Sequence, residues 1–205
     1  MIKNKVKEIY ESLSVNKYPH VKRVLAFAVK IAKDQGLKGK DLELIEIIAL
    51  LHDVGYKKQF EVGGKDKHEI YSVEVCKEFL ENTDFSKEEK EKIYETIKTH
   101  GEFESCKTQF QKILFDADKL DKTSIGEIIR KSIIMHEGFN MNDQEIFERL
   151  NQRMNERKFH FDLSKKISKE NLKPINEAFK DYKNVRLGLD WFREFSPKAY
   201  MVLLD

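Results

Sequence analysis

Residues 42–51, LELIEIIALL, form an almost unbroken apolar run that stops at His52-Asp53, with Val54-Gly55 beyond. A helix this apolar on every side has to be buried all round, so other apolar helices must surround it. An imidazole and an ionised carboxylate at the end of such a helix are costly unless something pairs with them. Successive helical side chains point about 100° apart, so the two share a target only where the helix ends. Gly55 is read as the residue that lets the chain leave in a left-handed conformation. Both side chains then turn onto one divalent cation.

The rest of the chain supplies the helices that such burial needs. Val21, Val24, Leu25, Ala28, Ile31 and Ala32 recur at helical spacing from about His20 to Gly36. Asp41 is placed to cap the buried helix, and a polar loop with Gly63-Gly64 covers Lys57–Lys67. A helix from His68 carries Ser72, Val75, Cys76, Phe79 and Leu80 inward. Ser86 followed by Glu89 has the form of a capping box before Ile93 and Ile97, and Gly101 ends that helix at His100. Phe110, Ile113, Leu114, Ala117 and Leu120 trace one more face, continued by Ile125, Ile128, Ile129 and Ile133. Two further amphipathic helices centre on Phe147/Leu150/Met154 and Ile175/Phe179/Tyr182. No stretch alternates as a strand does, and the expected fold is all-α. At 205 residues one domain is expected, with 1–140 as the main body and 141–205 as a helical extension packed on it.

Charge narrows the partners. The 38 basic and 36 acidic side chains leave a net charge of +2, and no Lys/Arg block marks a nucleic-acid arm. No run is long and apolar enough for a membrane span or a leader, and Cys76 and Cys106 form no C-x-x-C motif. A cytoplasmic protein with reduced thiols and no nucleic-acid polymer or membrane partner is expected.

The histidines are His20, His52, His68, His100, His136 and His160, and four of them fall at helix ends beside apolar faces. Asp118 lies within the cluster Asp116-Ala117-Asp118-Lys119-Leu120-Asp121, four residues after Leu114 and on the inward face. Imidazole and carboxylate together suit Mn, Fe, Co, Ni or Zn. Each residue alone has a plainer reading. A lone buried histidine usually bonds a carbonyl, Asp118 can pair with Lys119 or Lys122, and Asp116 and Asp121 can be solvated. His136 and His160 keep the plainer reading.

In order along the chain, His20, then His52-Asp53, then Asp118 resembles the H…HD…D pattern of the HD superfamily of metal-dependent phosphohydrolases. The words HVKRVLAFAVKIA, IIALLHDVGY and ILFDADKLD carry the likeness, which covers about residues 18–135. His68 and His100 stand where binuclear members carry two more histidines. The resemblance implies a compact HD-type helical bundle holding one or two divalent ions (Mn²⁺, Fe²⁺, Ni²⁺, Co²⁺, Zn²⁺ or Mg²⁺). His20, His52, Asp53 and Asp118 would take the first ion, and His68 and His100 the second, with Asp53 between them. Many members have Gly-Lys after the doublet, whereas here Gly55 is followed by Tyr56, with Lys57 and Lys58 beyond.

The reaction so implied is hydrolysis of a phosphate ester, with a nucleotide or related small phosphorylated metabolite as substrate. A bound divalent ion lowers the pKa of water from about 15.7 toward about 7. Arg23, three residues after His20 on nearly the same helix face, offers a guanidinium fork for phosphate, and Lys119 a second positive charge. Asp121 would orient a ligand or move a proton, and Tyr56 either packs or stacks on a base. Two other readings keep the metal: a nucleotide-binding regulatory module without turnover, its C-terminal helices carrying a partner or homodimer surface, and a di-iron oxygenase.

Overall fold

The last four residues of helix α3 (Gly39–Leu51), Ile48, Ala49, Leu50 and Leu51, are all buried. The computed structural model of the chain describes residues 2–12, 18–63 and 67–195. Among these, every regular element is helical. No helix among the described residues is long and apolar enough to cross a membrane.

The helices packed on α3 are α1 (Ile2–Glu11), α2 (Tyr18–Asp34), α6 (Lys87–Thr99) and α7 (Gln109–Asp121), and α5 (His68–Leu80) packs chiefly on α6. Their buried faces supply Val24, Ile31, Leu80, Ile93, Ile97, Ile113, Leu114 and Leu120 to one core, and the Tyr10 hydroxyl donates to Leu50 O at 3.2 Å. Caps fix where these helices begin and end. Ser86 and Glu89 form the expected capping box at α6, and Thr108 with Gln111 forms another at α7. Gly36, at φ +81°, closes α2 as its left-handed residue: Leu37 N–H donates to Ala32 O and Gly36 N–H to Lys33 O.

The chain divides into two compact units, 1–123 with 157–168, and 124–156 with 169–205. Residues 140 and 141 both lie in the second. Its elements are α8 (Ile125–Ile133), a π-helical turn (Ile134–Gly138), α9 (Asp143–Asn155, with an Asn142/Glu145 capping box) and most of α10 (Asp162–Phe195). Ile128, Met135, Ile146, Leu150, Met154, Leu172 and Ile175 form its own core.

Several expectations are corrected. Asp41 is not a cap: α3 starts at Gly39, the capping position is Lys38, three residues earlier and without a side-chain bond, and Asp41 instead accepts from Lys92 Nζ at 3.4 Å. The segment after the doublet is no simple loop, because Tyr56–Glu61 forms α4; Gly64, Lys65 and Asp66 lie outside the described residues. The isoleucines of α8 do not share one buried face. Ile128 is buried, whereas Ile125, Ile129 and Ile133, at four-residue spacing, form an exposed stripe. The helix expected around Ile175 is present as α10, which runs through Pro174; the side chains of Phe179 and Tyr182 lie outside the described residues.

Candidate metal centre

Five helix ends meet at one end of the first unit. His20 lies in the first turn of α2, His52 is the C-terminal cap of α3, His68 opens α5 and His100 caps the end of α6. Asp118 and Asp121 come from the last turn of α7. A helix end lets a side chain face along the axis into a shared space, which mid-helix positions do not. Here that space is nearly closed, since His52, Asp53, His100, Asp118 and Asp121 are all buried.

Gly55 makes this convergence possible, though not as a left-handed residue. Its φ is −77°, in the right-handed region. What it lacks is a Cβ, which would stand 2.1 Å from Ser72 N and 2.4 Å from Tyr71 C. The backbone of α5 therefore lies directly on the doublet turn, and Gly55 N–H donates to Ser72 Oγ at 3.0 Å. This contact delivers His68 to Asp53.

Three imidazoles are tied down through Nδ1. His52 Nδ1–H donates to Ala49 O at 2.8 Å and His100 Nδ1–H to Ile97 O at 2.6 Å. A carbonyl only accepts, so the proton sits on Nδ1 of both rings; the Nε2 of His52 then has no hydrogen-bond partner among the described residues, and that of His100 lies 3.3 Å from His68 Nε2. His20 Nδ1–H donates to Asp121 Oδ2 at 2.6 Å. His68 is held by stacking on Tyr56, with ring centroids 4.2 Å apart and planes 14° from parallel. The four rings form a chain, His20–His52–His100–His68, with successive centroids 5.4, 5.2 and 5.2 Å apart.

All four Nε2 atoms face Asp53. Its Oδ1 lies 3.0 Å from His68, 3.6 Å from His52 and 3.6 Å from His100, and its Oδ2 lies 3.5 Å from His20. Asp118 divides its two oxygens: Oδ1 is 3.6 Å from His20 Nε2, while Oδ2 accepts from Lys122 at 2.5 Å and Lys119 at 3.0 Å. Both plain and functional readings of Asp118 thus hold at once. The Arg23 fork is directed at Asp121, with Nε on Oδ1 and Nη2 on Oδ2. Nη1 is the nitrogen left over for any other anion.

The electrostatics are those of a cation site. Burial, with the neighbouring His100 and His20, pushes His52 down to about 3, so it is a neutral donor. Burial opposes charge on His20 too, yet the bond to Asp121 and the nearby Asp53 and Asp118 outweigh it and push it up to about 9. The carboxylates therefore demand positive charge at this spot. Burial would raise Asp118, but Lys122, Lys119, His20 and His52 hold it well below the usual range. His52 Nε2 is buried without a hydrogen-bond partner among the described residues, an arrangement that native cores avoid. His20, His52 and Asp118 each place a donor atom within 4.8 Å of the others, as do His52, Asp53 and His100, so these clusters can hold a metal ion.

The structure thus brings together His20, His52, Asp53, His68, His100 and Asp118, with Arg23, Lys119 and Asp121 around them. His136 belongs to the second unit, where its Nδ1 faces Met141 O at 3.3 Å. His160 stacks on Phe103 at 4.0 Å, away from the cluster. Two residues were not singled out as site groups from sequence. Lys122 is four residues from Asp118, and that spacing was a usable signal. Glu69 carries none, because an acid in the first turn of a helix is ordinary.

Comparison with known proteins agrees with this geometry. The sequence profile described as HD domain matches residues 18–123. An uncharacterized protein of Clostridium beijerinckii is 38% identical over 88 residues, which is 43% of this chain and 54% of that protein. The chain thus spans about half the length of that curated relative. A predicted HD superfamily hydrolase from an uncultured Thermotogales bacterium superposes with a TM-score of 0.65 at 20% identity, over 89% of this chain and 90% of that one. Bacillus subtilis YpgQ, in complex with ADP, gives 0.62 at 21% identity over 88% and 92%. An HD-superfamily hydrolase from Bacillus thuringiensis gives 0.64 at 19% over 89% and 94%. At these identities the likeness to the solved structures is one of fold.

Proposed function

Because this chain belongs to the HD-domain family, we propose that it is a metal-dependent phosphohydrolase acting on a phosphate ester of a nucleotide or similar small metabolite. The observation that carries the proposal is the position of Asp53, whose two oxygens stand 3.0 to 3.6 Å from four imidazole Nε2 atoms. A carboxylate so placed suits a bridge between two cation positions. His20, His52 and Asp118 would hold one ion, and His68 and His100 the other. Bound divalent ions supply an activated hydroxide and neutralise phosphoryl charge.

The chain's own residues do the rest. The carbonyls of Ala49 and Ile97 hold His52 and His100 in the tautomer that presents Nε2, and Asp121 does the same for His20. Lys119 and Lys122 offset the second oxygen of Asp118 and place positive charge where phosphate oxygens would lie. Arg23 steadies Asp121 and keeps Nη1 for the substrate. Tyr56 fixes the His68 ring rather than a base. The nucleotide preference is supported by a solved neighbour that is an ADP complex, and by a site that joins buried carboxylates to a rim of cations.

The test is a panel of nucleotides and small phosphoesters offered to the purified chain with Mn²⁺, Ni²⁺ or Co²⁺. Release of phosphate or nucleoside from at least one compound, abolished by chelation, is the expected result. Inactivity across the panel with metal demonstrably bound overturns it, and tight nucleotide binding without turnover would identify a regulatory module instead.

A further inference from the structure

One buried carboxylate at the metal end has no place in the scheme above. Glu69, the second residue of α5, is only 6% exposed. Its Oε2 lies 3.2 Å from His68 Nδ1, yet it makes no hydrogen bond among the described residues. Its Oε1 lies against Gly101, where a Cβ would stand 2.1 Å from it. A favourable interaction with the helix N-terminus accounts for an exposed acid there. It does not offset the burial of a carboxylate. Orienting His68 through a hydrogen bond is no explanation either, since the ring N–H and Oε2 are not aligned for one.

A cation resolves the burial. His68, Glu69 and His100 each place a donor atom within 4.8 Å of the other two. This triplet has the composition of the first one, two imidazoles and one carboxylate, as in His20, His52 and Asp118. We propose that Glu69 is a direct ligand of the second cation position, its own carboxylate beside the shared Asp53. The proposal rests on the binuclear reading given above and gives the second position a carboxylate of its own in addition to the shared Asp53. Gly101 belongs to the same device, because only a residue without a side chain leaves room for the carboxylate beside His100.

The experiment is a calorimetric titration of the chelator-treated full chain with Mn²⁺, in wild type, Glu69→Gln and Gly101→Ala. Wild type is expected to show two sites. Glu69→Gln keeps the size of the side chain but removes its charge. It should leave one site at wild-type affinity and weaken the other by about 100-fold or more, beyond what loss of an outer-sphere partner usually costs. Gly101→Ala changes no ligand but pushes the flexible carboxylate aside, so it should weaken the same site. The surviving site in each variant reports that the fold is intact. Two sites of unchanged affinity in Glu69→Gln would overturn the Glu69 assignment and leave the binuclear reading standing. A single site in wild type would remove both.

Discussion

Helix α7 carries two buried aspartates two residues apart, and their surroundings could hardly differ more. Asp116 is 0% exposed and Asp118 3%. Asp116 accepts from the backbone N–H groups of His160, at 2.9 and 3.1 Å, and Phe161, at 3.0 Å. It clamps the segment that leads into α10. Asp118 meets side chains instead: two lysines on one oxygen and an imidazole near the other. Burial pushes Asp116 up despite its two amide donors, whereas the cations around Asp118 pull it well below the usual range against the same burial. The histidines repeat the contrast. Both His160 and His52 have an Nε2 that is buried without a hydrogen-bond partner among the described residues, but the His160 ring stacks on Phe103 and meets Phe115 at an angle, while His52 Nε2 faces a carboxylate oxygen of Asp53 at 3.6 Å. Burial alone therefore does not mark a site. A buried charge tied to backbone amides belongs to the fold, and one facing movable donors is available to a ligand.

The sharpest way to break this comparison is at the cage. Asp53→Ala should lower phosphohydrolase activity at least about a thousandfold, about 4 kcal/mol of transition-state stabilisation, and should strip the bound metal while the chain stays helical by circular dichroism. Normal metal content would contradict it. At the clamp, Asp116→Ala should do the reverse. It leaves buried N–H groups unsatisfied and should cost about 2–3 kcal/mol in denaturant unfolding, with Mn²⁺ affinity unchanged; a loss of affinity at full stability would make Asp116 part of the site.

Gly55→Ala sharpens the comparison because it forces α5 off the doublet turn without altering any ligand. A clash with backbone has to be relieved by movement, so about 1–3 kcal/mol of destabilisation is expected, together with weaker binding at the position that His68 serves. Unchanged stability and affinity would show that the α5 contact does not position the site. The smallest effect belongs to His160→Ala, which removes an aromatic stack worth about 1 kcal/mol and should leave metal binding untouched in the same titration.

Much of this was legible in the chain. The apolar period placed α2, α3, α5, α6 and α7 because each buries a wide face in one core, and the Ser86 capping box is a local signal that the fold left intact. The ordered histidines and aspartates identified which helix ends meet. What was hidden depends on through-space contact. Gly55 matters for the backbone it touches seventeen residues away, not for a turn. Glu69 looks like an ordinary first-turn acid until His100 and Gly101 are brought against it. The isoleucine stripe of α8 has the spacing of a core face and yet is exposed, because periodicity gives a face without saying what covers it. The cap expected at Asp41 lies three residues from the true capping position, Lys38, because α3 starts without any side-chain cap.

The central claim is that four imidazoles converge on Asp53 to cage divalent cations. Anomalous diffraction from crystals grown with Mn²⁺ tests it most directly. Density is expected within about 2.0–2.3 Å of Asp53 oxygens and of the His Nε2 atoms, the range of nitrogen and oxygen ligands. Saturating Mn²⁺ with no peak at Asp53, or with peaks only elsewhere on the molecule, would contradict it.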